Sequence, residues 1–314
     1  MKLFWRILGV GVVTLLVFAV AGVIATWAPD RPVAALAARW AAAPSQFIEV
    51  AGMRVHLRDE GPRDDPSPIV LLHGTSASLH TWDGWAEALA RQRRVIRFDL
   101  PAFGLTGPNA QGDYSFEAYA RFVLAVLDKL GVQKCVLAGN SLGGQIATAT
   151  AFVAPARVER LILVDSSGYP IESISVPLGF RIARLPGLRR VMEYTLPRGI
   201  IAQSIKNVYG DPAKVTPALV DRYYELTLRE GNRRALGQRM AQGYASNAGQ
   251  IKTLRQPTLV LWGGQDRLIP PSNASLFGRD IAGAKVVVFE ALGHVPHEED
   301  PKATVAEVRA FLGL

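Results

Sequence analysis

The stretch Lys134-Cys135-Val136-Leu137-Ala138-Gly139-Asn140-Ser141-Leu142-Gly143-Gly144-Gln145-Ile146 decides the reading of this chain. Its first half is a short apolar run of the kind that forms a buried strand. Its second half is rich in small, helix-compatible residues. Between them stands Ser141, with Gly139 two residues before it and Gly143 two residues after it. A serine at a sharp strand-to-helix turn is held in a strained backbone conformation, and the two glycines let strand and helix approach closely. The hydroxyl is then exposed at the sheet edge, beside the first N–H groups of the helix. G-x-S-x-G alone arises by chance in many chains. The strand–turn–helix context is what makes Ser141 the candidate nucleophile.

Outward from this turn, short apolar strands alternate with helices. Residues 47–50 and 53–58 alternate in polarity around Ala51-Gly52, the pattern of a hairpin. Strands are expected at 69–72 and 95–98, and helices at 82–92 and 116–130, the latter closed by Gly131. Beyond the turn, 161–164, 258–262 and 285–289 read as strands and 303–312 as a closing helix. This order implies an α/β fold, a mostly parallel sheet covered by helices on both faces. The expected core is 46–167 together with 252–314. Residues 168–251 break the pattern, with helical patches near 180–184, 189–194, 218–230 and 234–244 and prolines at 177, 186, 197, 212 and 217. Both ends of this insertion fall at the carboxyl edge of the sheet, where open α/β sheets bind ligands. A helical cap over Ser141 is the economical expectation.

The amino-terminal segment, residues 1–29, is of another kind. No charged residue occurs between Ile7 and Pro29, Trp5 and Trp27 flank the stretch, and Lys2 and Arg6 precede it. A helix of this length reaches roughly 35 Å, enough for a bilayer core of about 30 Å. A single-pass anchor is expected, with the amino terminus cytoplasmic and the catalytic bulk on the extracytoplasmic side. The competing reading is a signal peptide cleaved near Ala19-Val20-Ala21 and a secreted protein. Residues 30–45, Ala- and Arg-rich, read as a short helical linker.

Composition narrows the partners. Hydrophobic residues make up 49% of 314, enough for a sizeable core, and Cys135, the single cysteine, excludes an internal disulfide. The net charge of +8 comes without a basic run, a helix-turn-helix pattern or zinc-ligand spacing, so nucleic acid is not an expected partner. Residues 169–240 hold 12 Lys/Arg against 6 Asp/Glu. A solvated helical surface accounts for this more simply than attraction to anionic lipid.

A serine hydroxyl needs a base, and the base needs an orienting acid. Asp266 follows the strand at 258–262, and His294 follows the strand at 285–289, so both stand at strand ends. Asp165, after the strand at 161–164, is the alternative acid. Of the other histidines, His56 and His73 read as structural, while His80 and His297 are candidates for the pocket wall. Two donors must face the developing oxyanion. The backbone N–H of Leu142 is one, and the loop His73-Gly74-Thr75-Ser76 offers the other, that of Thr75 first and that of Ser76 next.

With Ser141, Asp266 and His294 in this order, and with His73-Gly74, Asp99-Leu100-Pro101-Ala102-Phe103-Gly104 and Gly264-Gln265-Asp266 in place, the chain resembles the α/β-hydrolase superfamily. It looks most like membrane-anchored or exported bacterial serine esterases and lipases with a helical cap. It departs from the family's D-x-P-G-x-G turn at Ala102. The resemblance implies hydrolysis of hydrophobic or lipid-like carboxylic esters through an acyl-enzyme, with no organic cofactor and no metal; His294-x-x-His297 lacks a third ligand. Hydrolases of carbon–carbon bonds in meta-cleavage products share the same core plan, and acyltransfer shares the same intermediate. Dehalogenases and epoxide hydrolases of this fold use an aspartate nucleophile, against which Ser141 argues. A non-catalytic scaffold would be expected to have lost a triad member. Acyl chain length and oligomeric state are not specified by the sequence.

Overall fold

The computed structural model describes residues 1–243 and 246–314. Helix α1 (Lys2–Ala25) is exposed at each of its described side chains, and its segment Phe4–Ala25 is long and apolar enough to cross a membrane. After α2 (Val33–Trp40) the chain enters the sheet through β1 (Gln46–Val50) and β2 (Met53–Glu60). There follow β3 (Ile69–Leu72), α3 (Asp83–Leu89), β4 (Val95–Phe98), α4 (Phe116–Lys129), β5 (Cys135–Asn140), α5 (Leu142–Val153) and β6 (Val158–Val164). The insertion carries α6 (Leu178–Ala183), α7 (Pro186–Met192), α8 (Arg198–Val208), α9 (Pro217–Thr227), α10 (Asn232–Ala241) and α11 (Ala248–Ile251). The sheet then resumes with β7 (Thr258–Gly263), α12 (Ser272–Asp280), β8 (Lys285–Phe289), α13 (Pro296–Glu299) and α14 (Pro301–Leu312).

The eight strands lie in the order β1-β2-β4-β3-β5-β6-β7-β8. The hairpin β1–β2 joins β4 antiparallel, and every pairing from β4 to β8 is parallel. Parallel strands are buried on both faces, which is why β3, β4, β5 and β7 are buried throughout. Alternation then sorts their side chains. Leu137 joins Tyr119, Phe122, Ile146 and Phe277 on the face covered by α4, α5 and α12. Val136 and Ala138 join Trp82, Trp85, Val305 and Val308 under α3 and α14. Ser115 caps α4 by accepting the Ala118 N–H, and Asp300 caps α14 through the Ala303 N–H.

Several elements differ from the sequence reading. The helix expected at 82–92 begins as a 3-10 turn, Leu79–Trp82, and its α-helical part ends at Leu89. Helices α8 and α12 were not foreseen. The helix expected at 234–244 ends at Ala241, and Tyr244, its expected end, lies outside the described residues. Residues 30–45 are no free linker. Arg39 pairs with Asp221 and Glu225 of α9, and the Trp40 indole N–H donates to Glu225 at 2.7 Å. The foot of α1 is likewise docked. Trp27 stacks on Tyr194 with ring centroids 5.7 Å apart, the Ala28 N–H donates to Tyr194 O, and the Leu196 N–H donates to Thr26 O.

Candidate active site

The turn between β5 and α5 has the geometry its glycines foretell. Ser141 is the N-cap of α5 with φ 54° and ψ −116°, a conformation that side chains other than glycine rarely adopt. A Cβ on Gly139 would lie 2.2 Å from the Gly143 carbonyl carbon, and one on Gly143 would lie 2.2 Å from Leu72 O. No side chain fits at either position. The turn is further fixed by the Ser141 N–H, which donates to Val164 O of the neighbouring strand.

Asp266 and His294 stand in the loops after β7 and β8, at the same sheet edge as Ser141. The His294 Nδ1–H donates to Asp266 Oδ2 at 2.7 Å, with both side chains buried. The other oxygen of Asp266 accepts the Leu268 and Ile269 N–H groups at 2.8 and 3.0 Å. Three hydrogen bonds to the carboxylate fix its plane. Ser141 and His294 line one cavity of about 390 Å³. Asn140 ties their backbones together: its side-chain amide donates to Val164 O and to His294 O at 3.2 and 3.0 Å. The loop residues Thr75, Ser76 and Ala77 line the same cavity. Leu142 opens α5, so its N–H is one of the first-turn amides that have no intrahelical acceptor.

A family model described as the alpha/beta hydrolase fold matches residues 67–301. The chain belongs to the α/β-hydrolase fold family. It is 31% identical to the 2-hydroxymuconate semialdehyde hydrolase of Pseudomonas sp. strain CF600, over 84% of this chain and 92% of that protein. Among solved structures it is similar to a meta-cleavage product hydrolase from Pseudomonas fluorescens IP01, with 27% identity, a TM-score of 0.74, and 85% and 97% of the two chains covered. It is also similar to a membrane phospholipase A described as a bacterial virulence factor, with 26% identity and a TM-score of 0.72. That alignment covers 100% of this chain and 98% of the other. The family and these relatives make the protein a hydrolase.

In this α/β hydrolase Asp165 is close to the pair but does not engage the histidine. The ligand atoms of Asp165, Asp266 and His294 lie within 4.8 Å of one another. Asp165 Oδ1 accepts the Gly263 N–H at 2.9 Å. Burial and the adjacent Asp266 charge push the Asp165 carboxyl well above the usual range, favouring its neutral form. The three residues could form a metal-ligand set, but His294 Nδ1 and Asp266 Oδ2 already face each other at hydrogen-bond distance. A bridging ion would have to displace that contact.

The remaining histidines are accounted for without the cavity. His73 Nδ1–H donates to Gly74 O and its Nε2 accepts the Leu100 N–H, so the ring is neutral and holds the loop that carries Thr75. His80 Nε2–H donates to Trp40 O, and His297 stacks on Trp82 with centroids 4.0 Å apart. Neither His80 nor His297 is among the described residues of the cavity wall, against the expectation from sequence. The Asp99 turn keeps its shape despite the missing glycine: Ala102 adopts φ 82°, and its N–H donates to Gly107 O at 2.7 Å.

Sequence reasoning missed Glu299. Its buried carboxylate accepts the N–H groups of Gly210, Asp211 and Gly293 at 2.8–2.9 Å, clamping the end of α8 to the loop that carries His294. The His294 N–H itself donates to Val208 O. His294 is therefore positioned in part by the insertion. Glu299 follows His294 by five residues, and nothing in that spacing marks it apart from a surface acid.

Proposed function

We propose that the protein is a membrane-attached serine hydrolase of lipid-like carboxylic esters, with Ser141, His294 and Asp266 as its triad and the insertion as its cap. The observation that carries this reading is the cavity in which Ser141 and His294 meet. Its wall is mostly apolar, supplied by Phe180, Ile200, Ile205, Leu236 and Met240 of the insertion and Leu268, Ile269 and Val295 of the core. The segment joining α6 to α8 is hydrogen-bonded to the foot of α1, so the cavity stands next to the helix that is apolar enough to cross a membrane. The full-length similarity to a membrane phospholipase A supports the same reading.

Ser141 Oγ attacks the ester carbonyl while His294 Nε2 takes its proton, and Asp266 holds the imidazole and stabilises the imidazolium. The Leu142 and Thr75 amides receive the tetrahedral oxyanion. Collapse expels the alcohol, protonated by His294, and leaves an acyl-Ser141. Water then adds to the acyl group as His294 again accepts a proton, and collapse of the second tetrahedral intermediate returns the acid and free serine.

The test is a chain-length series of p-nitrophenyl esters, with and without vesicles, on the wild type and Ser141→Ala. Turnover that needs Ser141 and rises with acyl length at a lipid surface is the expected result. Labelling of Ser141→Ala by a fluorophosphonate probe as strongly as wild type would remove the nucleophile assignment. A second reading, carbon–carbon hydrolysis, is favoured by the 31% identity to 2-hydroxymuconate semialdehyde hydrolase. Inactivity on every ester, together with Ser141-dependent turnover of a meta-cleavage product, would install it.

A further inference from the structure

Among the described residues lining the cavity there are two cations, Arg184 and Arg233, and no carboxylate. Arg184 is exposed, whereas Arg233, in the first turn of α10, is 5% exposed. One Nη2 hydrogen of Arg233 is used: it goes to Asp30 Oδ1 at 2.6 Å. Nε and Nη1, which carry three N–H groups between them, have no acceptor among the described residues. A buried cationic donor is among the costliest groups to leave unsatisfied. Asp30 does not meet the need. Its side chain is 37% exposed, and its second oxygen already accepts the Gly231 N–H.

We propose that Arg233 binds the anionic oxygen of a phosphodiester, so that the substrate of this cavity is a glycerophospholipid with its acyl ester at Ser141. This rests on the reading of the cavity as an ester-hydrolysing site. A guanidinium makes charge-assisted hydrogen bonds to phosphate, and a low-dielectric wall strengthens them. The position fits the chemistry. Asp30, the partner of Arg233, follows the foot of α1, so this end of the cavity lies on the side where α1 would enter a bilayer. Headgroup phosphates stand at that level, while the apolar remainder of the cavity suits an acyl chain.

The experiment measures binding, independently of turnover. The full chain carrying Ser141→Ala, in detergent, is titrated calorimetrically with octyl phosphate, octanoate and octanol. Octyl phosphate is expected to bind at least tenfold more tightly than octanol. Adding Arg233→Gln removes that difference, while Arg233→Lys retains part of it. Octanoate weaker than octyl phosphate supports a headgroup site. Octanoate equal to it supports the oxyanion site and overturns the headgroup as its source in favour of the acid product. Equal binding of octyl phosphate and octanol overturns the proposal, and this comparison needs no substitution at Arg233. An unchanged ratio in folded Arg233→Gln protein also overturns it. Loss of the ester reading itself is seen separately, in p-nitrophenyl ester turnover by the wild type.

Discussion

A hydrogen-bonded Ser-His-Asp chain is not by itself an active site, and this molecule contains an instructive example away from the cavity. Ser45 Oγ lies 2.9 Å from His56 Nε2, and His56 Nδ1 lies 2.7 Å from Asp99 Oδ2. Asp99 also accepts the Leu79 and Leu105 N–H groups, and Arg58 Nε–H donates to Ser45 Oγ, so the array stitches the segment before β1 to the sheet. None of its three residues lines the cavity. What distinguishes Ser141 is the strained turn beside a helix start, and that turn tolerates little. Gly143→Ala should cost about 1–3 kcal/mol in urea unfolding and depress turnover, because its methyl would press on Leu72 O. The two acids separate as sharply. Asp266→Asn should lower kcat by roughly 10³–10⁴ by leaving His294 in the wrong tautomer. Asp165→Asn should keep kcat within a few-fold, since Asp165 accepts the Gly263 N–H and its burial favours the neutral form that an amide mimics. Comparing kcat of the two variants on one ester checks both; the reverse pattern would show that the acid is Asp165.

At the scale of elements, β5 and α5 were legible because everything that makes them is local: an apolar run, a glycine pair and a small-residue helix. Helix α8 was not. Its sequence Arg198-Gly199-Ile200-Ile201-Ala202-Gln203-Ser204-Ile205 follows Pro197 and carries a weak-propensity glycine, and the reason for its isoleucines is the cavity they line. Helices α6 and α7 show another tertiary effect. Phe180, Ala183 and Met192 line the cavity, while Leu178, Leu185 and Val191 point outward with exposures of 46, 52 and 43%. The pair also exposes Arg181, Arg184 and Arg190, and apolar side chains mixed with basic ones suit a lipid interface better than water. The paired change Leu178→Asp with Leu185→Asp should lower hydrolysis of bilayer-embedded esters by roughly tenfold or more, through lost interfacial burial. A short soluble p-nitrophenyl ester should be turned over within twofold of wild type. Equal loss on both substrates would point to a packing defect instead.

The whole molecule also buries titratable groups that do not line the cavity, and these weaken it toward acid. Burial lowers His80 to about 3 and His297 well below the usual imidazole range. In the unfolded chain both titrate near 6.5. Below that pH the unfolded chain binds protons that the native state refuses. Their contribution to stability is therefore complete above about pH 6.5 and is lost as pH falls toward the folded values, by up to about 1.4 kcal/mol per pH unit for each histidine. Urea midpoints at pH 7.5, 6 and 5 should fall in that order. His297→Phe, which keeps the stack on Trp82, should flatten the slope; an unchanged slope would mean that His297 is not buried neutral.

The sequence by itself determined the α/β order of elements, the strand–turn–helix at Ser141, the places of His294 and of two acids, Asp165 and Asp266, at strand ends, and an apolar amino-terminal span. These are carried by periodicity, by glycines that strained or crowded backbone requires, and by positions at strand ends, all of which are local. Only the tertiary structure decided that Asp266 rather than Asp165 holds His294, because both acids end neighbouring strands and the choice is one of distance. Only it docked the segment from Trp27 to Trp40 onto the insertion, placed Glu299 between α8 and the His294 loop, and left Arg233 in the cavity wall with donors that have no acceptor among the described residues. Those contacts join residues far apart in the chain, and pairwise geometry of that kind is written in no single stretch of sequence.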